Sequence, residues 1–523
     1  MLGALPVVAG FSGRLKLREI IDAACPMREV STVEVTHGQV IEALVANRLT
    51  SPTPLLRVRD WASAWAVSEV FGISAPALND DRVGRALDAI AGHLDHIVGS
   101  VGAAAIDAFG LDVTRMHWDM TSISLHGAYD TAEDGLPLPK FGHPKDRRPD
   151  LKQIQAGIAV CGDGGVPVFH RCFDGGAGEV SQVVPAMQAL QKLADPARML
   201  MIGDSKLVSY PNLAAMGKAG VAFIAPASKQ YVPVAVLATQ DLSEAAEVDY
   251  VATRDAGKPP DRRGRWHVRE DVMTLPGPRK RDPVLTFRRV FVHSSARAAA
   301  AATARAKKLD RARDDLDRLT RGLGSRHYPD PAAVTARVQA IGRDRRVAAY
   351  LHTTIGVDGS SKPTLTWSFD QNAIDAEAAS DGWYALLTTL HPDEADTAQV
   401  LRRYKGQEAV ERRYQAFKGP LAVAPLFIKN NRRIAAMITV ICLALLIFCL
   451  IEREVRRAIA PAEKLDSLYV GRPAKPTGRL ILEALDPLRL IPSHRNDPPV
   501  IPQPGPLQIR LLDLLKIDPL QLS

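Results

Sequence analysis

Cysteine is scarce in this sequence. The five present (Cys25, Cys161, Cys172, Cys442 and Cys449) are scattered, odd in number and without CxxC spacing. That argues against a disulfide framework or a zinc site and for a reduced, cytosolic setting. The opening stretch MLGALPVVAGFSG is apolar but lacks the positive n-region of a signal peptide, so it is not read as one. Long apolar runs are lacking too, with one exception. Ile434 to Ile451 is 18 residues of mostly aliphatic side chains between Arg432-Arg433 and Glu452-Arg453. This is the short limit for a spanning helix. A helix buried all round in a large core looks the same, and nothing else in the chain is membrane-like. The buried helix is the favoured reading, with no membrane partner.

What is present is the composition of a soluble globular protein, 46% hydrophobic and 24% charged over 523 residues. That length suggests about three domains. The net charge of +8 is local: Lys258 to Arg289 holds ten Lys/Arg against four Asp/Glu. A local basic block points to a polyanion such as nucleic acid. Within it, Arg262, Arg263 and Arg265 precede Trp266, and His267 and Arg269 follow. Basic residues around an aromatic suit backbone contact plus base stacking. A solvated loop with one packed Trp would give the same pattern.

Residues 1–110 read as an all-helical domain. Thr36 and Gln39 resemble a capping box ahead of Val40, Ile41, Leu44 and Val45. A second helix carries Trp61, Trp65 and Phe71 and stops at Gly72. A third starts near Asn79-Asp80 and puts Val83, Leu87, Ile90, Leu94, Ile97 and Val101 on one face. After Gly110 the pattern changes. Asp112 to Leu125 is a strand with Asp119 in its middle. Gln153 to Val160 and Val166 to Cys172 are strands joined by the turn signal Gly162-Asp163-Gly164-Gly165. Ser181 to Leu193 is a helix, Arg198 to Ile202 a strand ending at Gly203-Asp204, Pro211 to Lys218 a helix and Val221 to Ala225 a strand. The order is β-β-β-α-β-α-β, the first part of an α/β mixed-sheet core over 111–227. An insertion follows over 228–395, with the basic block, a charged helix from Ala296 to Leu323 that forms half of a helical hairpin, and a return strand at Tyr384 to Thr389. Residues 396–460 complete the core, and 461–523 is a Pro/Leu-rich tail that wraps the surface.

In such a sheet the first and fourth strands can be neighbours, which would bring Asp119 and Asp204 together. A carboxylate at a strand centre is costly to bury unless it is paired or binds a cation. The third element is Tyr404 to Lys418, YKGQEAVERRYQAFK, read as one helix. Tyr404, Glu411 and Lys418 are seven apart and share a face, which Gln407 joins. A phenol, an amide, a carboxylate and an ammonium in one column suit phosphate and metal, although a solvated helix face could carry the same residues. Asp119, Asp204 and Glu411 together would make an oxygen-only site fit for Mg²⁺ or Mn²⁺.

These residues resemble the DDE transposases of bacterial insertion sequences, in the IS-four-like group and its IS-sixteen-thirty-four-like branch. Asp119-Met120-Thr121 is similar to the first Asp-x-Thr of that family, Asp204 to its second Asp, and Tyr404, Glu411 and Lys418 to its Tyr-x2-Arg-x3-Glu-x6-Lys signature. Gln407 stands at the Arg position, so a donor remains and its charge does not. The stretch Ala77 to Asp88, the helix HGQVIEALVANRL, Asp150-Leu151-Lys152-Gln153 and Lys418 to Pro425 extend the resemblance over about residues 1 to 460. It implies an RNase H-like core with a large insertion, preceded by the helical domain, which would bind the DNA ends. It also implies catalysis by Asp119, Asp204 and Glu411 on two Mg²⁺ ions, with Mn²⁺ able to substitute, and phosphate contacts from Tyr404, Gln407 and Lys418. In some relatives an inserted Trp stacks on a flipped base, and Trp266 is the candidate here. The implied partners are terminal inverted repeats and target DNA, bound by a homodimer in a bacterial, nucleoid-associated setting. The alternative is a catalytically inactive DNA-binding descendant.

Overall fold

The computed structural model describes residues 1–27, 35–129, 133, 135–142, 144–145, 147–193, 199–421, 428, 430–461, 463–491, 499–502 and 504–520. The expected strand start at Arg198, and residues 422–425 of the stretch after the signature, lie outside these. The chain forms two compact units: Met1–Ala222 with Lys405–Ser523, and Phe223–Tyr404.

The first unit begins with helices α1 (Leu5–Arg14), α2 (Leu17–Ala24), α3 (His37–Thr50), α4 (Val58–Ala64), α5 (Val67–Phe71), α6 (Asp80–Ala91) and α7 (Leu94–Phe109). The capping box at α3 is present. The Gln39 amide nitrogen donates to Thr36 Oγ1 at 3.1 Å, and the Thr36 nitrogen to Gln39 Oε1 at 2.9 Å. The expected third helix is two helices, bent by 86° at Gly92-His93. Its apolar spacing continues across the break because both halves bury the same kind of side chain, so periodicity alone does not register the bend. The stretch with Trp61, Trp65 and Phe71 is likewise split, with Trp65 extended between α4 and α5.

Four strands follow: β1 (Arg115–Leu125), β2 (Lys152–Cys161), β3 (Pro167–Phe173) and β4 (Leu200–Ile202), with α8 (Glu179–Leu190) before β4 and α9 (Tyr210–Lys218) after it. Their order in the sheet is β3-β2-β1-β4. β1 is antiparallel to β2, with Asp119 opposite Ile158, and parallel to β4, with His117 opposite Ile202. The β2–β3 turn needs left-handed backbone at Gly164 (φ +76°) and Gly165 (φ +64°), which glycine adopts without a Cβ penalty.

The second unit holds β5 (Ala222–Pro226), α10 (Val234–Ala238), β6 (Ala246–Glu247), β7 (Trp266–Leu275), β8 (Leu285–Ser294), α11 (Ser295–Arg321), α12 (Pro331–Asp344), β9 (Leu351–Val357), β10 (Pro363–Phe369), α13 (Gln371–Ala378), β11 (Trp383–Thr388) and α14 (Thr397–Lys405). Its strands run β5-β11-β8-β7-β6, and β9 pairs with β10. The hairpin of α11 and α12 closes on a core of Ala312, Leu316, Leu319, Val334, Val338 and Ile341.

The chain then returns to the first unit as α15 (Glu408–Lys418), α16 (Asn431–Ala458), β12 (Leu465–Tyr469), β13 (Arg472–Ala474), α17 (Gly478–Leu485) and α18 (Pro506–Leu515). The apolar run forms α16. It is long and apolar enough to cross a membrane, and its apolar window is wholly buried. It packs against α3, α6, β3, α17 and α18. The C-terminal tail does more than wrap the surface. Ile481, Leu485, Leu488, Leu511 and Leu515 are buried, because α16 presents apolar side chains on every face and needs cover on all of them.

Charged residues close both ends of α16. Arg433 makes a two-pronged ion pair with Asp88 of α6 at 2.9 and 2.7 Å. Glu452 accepts from Arg413 at 3.1 Å, from Arg456 at 2.7 Å and from the Gly478 nitrogen at 2.9 Å. Burial pushes the Glu452 carboxyl up, and Arg413 and Arg456 together overcome that and hold it below the ordinary range. Removing one member of such a buried pair strands the other charge. Glu452→Ala is therefore expected to cost about 3–5 kcal/mol in urea unfolding of the full chain. A cost under about 1 kcal/mol, the range of exposed ion pairs, would mean that water reaches the pair.

Candidate active site

The parallel pairing of β1 with β4 ends at His117 and Ile202. Two residues further along each chain stand Asp119 and Asp204. Gly203 lies beside β1: a Cβ there would stand 3.6 Å from the Trp118 carbonyl oxygen, an ordinary contact, and would press on the Leu207 side chain at 2.9 Å. Asp204 opens a turn in which Oδ1 accepts from the Lys206 nitrogen at 2.9 Å and its carbonyl from the Leu207 nitrogen at 3.1 Å. A small cleft results, lined by Trp118, Asp119, Met120, Glu179, Val183, Gly203, Asp204, Lys206 and Leu207. The crevice past the carboxyl ends of parallel strands is the usual ligand position in open α/β sheets.

Two residues of this neighbourhood were not singled out from sequence. Glu179, the first residue of α8, supplies a third carboxylate to the cleft. Lys145 places its ammonium 3.5 Å from Asp119 Oδ1 and 3.8 Å from Glu179 Oε1, and donates to the Met120 carbonyl. Its backbone nitrogen donates to Ser122 Oγ at 2.9 Å. The available signals were weak: a lysine just upstream of Asp150-Leu151-Lys152-Gln153 and a glutamate at a helix start.

α15 lies along β1 and is fixed to it by polar side chains. Gln407 Nε2 donates to the Trp118 carbonyl at 3.2 Å, and Gln407 Oε1 is 3.1 Å from His117 Nδ1. The Tyr414 hydroxyl donates to the carbonyls of Asp119 at 2.6 Å and Ala156 at 3.2 Å. Lys418 Nζ donates to the Ser122 carbonyl at 3.0 Å. Arg413 donates to the carbonyls of Gly165 and Gly164 at 2.8 and 2.5 Å. Burial pushes the His117 imidazole down to about 4, so it is neutral and Nδ1 can donate to Gln407.

The expected single helix from Tyr404 to Lys418 is broken. α14 ends at Lys405, and Gly406 and Gln407 form the turn before α15. Gly406 weakens the helix there, and the Gln407 side chain is used on β1. Tyr404 therefore does not share one continuous helix face with Glu411 and Lys418. Its ring lies 6.5 Å from that of Tyr384.

The structure brings Asp119 and Asp204 to one cleft but does not bring Glu411 to it. Glu411 is exposed and, among the described residues, has no hydrogen-bond or ion-pair partner. Among the described residues no three His, Cys, Asp or Glu side chains converge closely enough to hold a metal ion as they stand. The donor chemistry does fit one: Asp119, Asp204 and Glu179 line the cleft with oxygen only, the set that suits Mg²⁺ or Mn²⁺.

The basic block forms the β7–β8 ribbon and the turns before it rather than a loop. Much of its charge is paired within the second unit. Arg269 meets Glu244 at 2.6 Å, Arg288 meets Glu270 at 2.6 Å, Arg289 meets Asp271 at 2.5 Å and Lys258 meets Asp255 at 2.7 Å. Arg262 and Arg265 are exposed, and Arg263 donates to the Lys258 carbonyl. Trp266 is 5% exposed, edge-on to Tyr250, so its ring faces are not presented for base stacking in this conformation.

Burial pushes the Asp119 carboxyl up to about 6; Lys145 pulls it down, and Asp204 and Glu179 add to the rise. Its folded value therefore lies above the unfolded 3.8. The stability it contributes is complete when the group is protonated and is lost as pH rises from about 4 to about 6. Asp119→Asn is expected to stabilise the metal-free protein above about pH 6, by on the order of 3 kcal/mol, and to be neutral below about pH 4. Thermal melts in chelator at both ends of that window test this. An equal effect at pH 4 and pH 8 would refute the assignment.

Residues 1–96 match the family described as "Domain of unknown function (DUF4277)". No curated protein matches the chain. Among solved structures, the piggyBac transposase synaptic complex with hairpin DNA aligns with 90% of this chain and 78% of that one. The identity is 10% and the TM-score 0.37, a level that does not define a shared fold.

Proposed function

We propose that this chain is a DNA transposase that cleaves transposon ends and joins them to target DNA with a DDE carboxylate set. The observation that carries the reading is the side-by-side placement of Asp119 and Asp204 past the end of the parallel β1–β4 pair, with α15 laid along the same strand. The order β3-β2-β1-β4 supports an RNase H-like core, and the motif resemblance supports the IS-four-like assignment. In this reading Asp119 and Asp204 would hold the two Mg²⁺ ions, with Glu411 of α15 as the third carboxylate of the set. Bound there, the ions would supply Lewis-acid stabilisation of the attacking and leaving oxygens. Gln407 and Lys418 orient the helix on β1 and, with Tyr404, contact phosphates. Arg262 and Arg265 add backbone contacts from the second unit. The partners are terminal inverted repeats and target DNA, held by a homodimer in the bacterial cytoplasm.

A second reading is a catalytically inactive DNA-binding descendant. Its support is Glu411, which stands exposed and apart from the two aspartates.

Cleavage of a labelled duplex carrying the gene's flanking ends separates the two. The expected result is metal-dependent nicking at the element boundary, lost at least about 100-fold in Asp119→Ala, Asp204→Ala and Glu411→Ala, while end binding survives; removal of key catalytic groups has effects of this size. Normal cleavage by any one variant removes that residue from the catalytic set. Tight end binding without cleavage by the wild type favours the second reading.

A further inference from the structure

Two of the carboxylates that line the cleft already face a cation of the chain itself, Lys145. Three oxygens converge on Lys145 Nζ: the Met120 carbonyl, Asp119 Oδ1 at 3.5 Å and Glu179 Oε1 at 3.8 Å. An ammonium offers three donors and no acceptor, and here they face one carbonyl and two carboxylates. The carboxylates belong to β1 and α8, which are far apart in sequence, so their meeting is a product of the fold. The Asp119 and Glu179 side chains are 17% and 23% exposed, whereas that of Lys145 is 46% exposed. The acceptors are thus held in the cleft while the arm that reaches them is about half exposed. The backbone at Lys145 is tied to Ser122 Oγ, so the arm can swing about a fixed point.

We propose that Lys145 is the resident counter-ion of Asp119 and Glu179, sitting where a divalent cation would sit, and that this cation binds only when the lysine arm leaves. The inference rests on the metal-dependent reading above. It also adds Glu179 to the residues that receive the ion. A hard divalent cation and an ammonium compete for the same oxygens, and both cannot occupy the pair without like-charge repulsion. Lys145 offsets part of the negative charge of Asp119 and Glu179 with a side chain about half in water, which costs little to move.

Direct Mn²⁺ binding to the full-length protein, read by titration calorimetry and by the loss of the free-ion paramagnetic resonance signal, tests this without reference to turnover. Lys145→Met keeps the length of the arm and removes its charge. The expected result is Mn²⁺ affinity raised about tenfold or more, equivalent to about 1.4 kcal/mol. Lys145→Arg, which keeps the charge, should bind no tighter than wild type. Glu179→Gln should weaken binding severalfold, and Asp119→Ala should abolish it. If Lys145→Met binds Mn²⁺ no tighter than wild type while Asp119→Ala abolishes binding, the competition is refuted and the metal site stands. If neither wild type nor Lys145→Met binds Mn²⁺, both the competition and the metal-dependent reading fail. Circular dichroism of each variant confirms that the fold is kept before the affinities are compared.

Discussion

The first unit depends on burying α16. A helix that is apolar on every face cannot sit at a surface; it must be enclosed. The N-terminal helices, β3 and the C-terminal helices supply that enclosure from three separate parts of the sequence. Apolar burial sets no direction, however. Direction comes from the charged ends, where Arg433 grips Asp88 of α6 and Glu452 holds Arg413, Arg456 and the start of α17. Arg453, 3% exposed at its side chain, adds the Phe109 carbonyl at the end of α7 and the Asp163 carboxylate in the β2–β3 turn. The unit is thus pinned at both ends of α16, by a part-exposed ion pair at Arg433 and by buried charges at Glu452 and Arg453 that would be expensive to leave unpaired.

The same pinning positions α15. Arg413 lies on α15, two residues past Glu411, and joins the buried Glu452 to the carbonyls of Gly164 and Gly165. α15 is therefore locked to α16 on one side and to the sheet on the other. Gln407, Tyr414 and Lys418 then fix it along β1 through the carbonyls of Trp118, Asp119 and Ser122. None of these contacts reads the side chain of Asp119; they hold its backbone. A buried carboxylate on a strand so constrained cannot relax toward water, and burial accordingly leads the upward shift of its carboxyl.

Much of this was legible in the sequence, for identifiable reasons. The β-β-β-α-β-α-β order followed from β-branched runs and glycine turns, and the meeting of Asp119 with Asp204 followed from the topology. The break at Gly92-His93 was not legible, because apolar spacing continued through it. The break at Gly406-Gln407 was obscured by a heptad spacing of Tyr404, Glu411 and Lys418 that holds only on an unbroken helix. The charge count over 258–289 included Glu270 and Asp271 but could not show that they face Arg288 and Arg289 on the next strand, or that Glu244 comes to Arg269. Lys145 and Glu179 were passed over because each is an ordinary surface residue type whose meaning comes only from where the fold brings it.

Those placements change how the site should be understood. Docking of α15 on β1 is already complete, through the amide of Gln407, the phenol of Tyr414 and the ammonium of Lys418. Glu411 takes no part in these contacts and stands exposed on α15, outside the cleft that Asp119 and Asp204 line. The cleft differs from this. Asp119 of β1 and Glu179 of α8 are held side by side there, and a lysine arm of partial exposure faces both. On the proposed reading, such a site would keep a buried carboxylate compensated while it is idle and would exchange a weak internal cation for a stronger external one without unfolding any element that carries it.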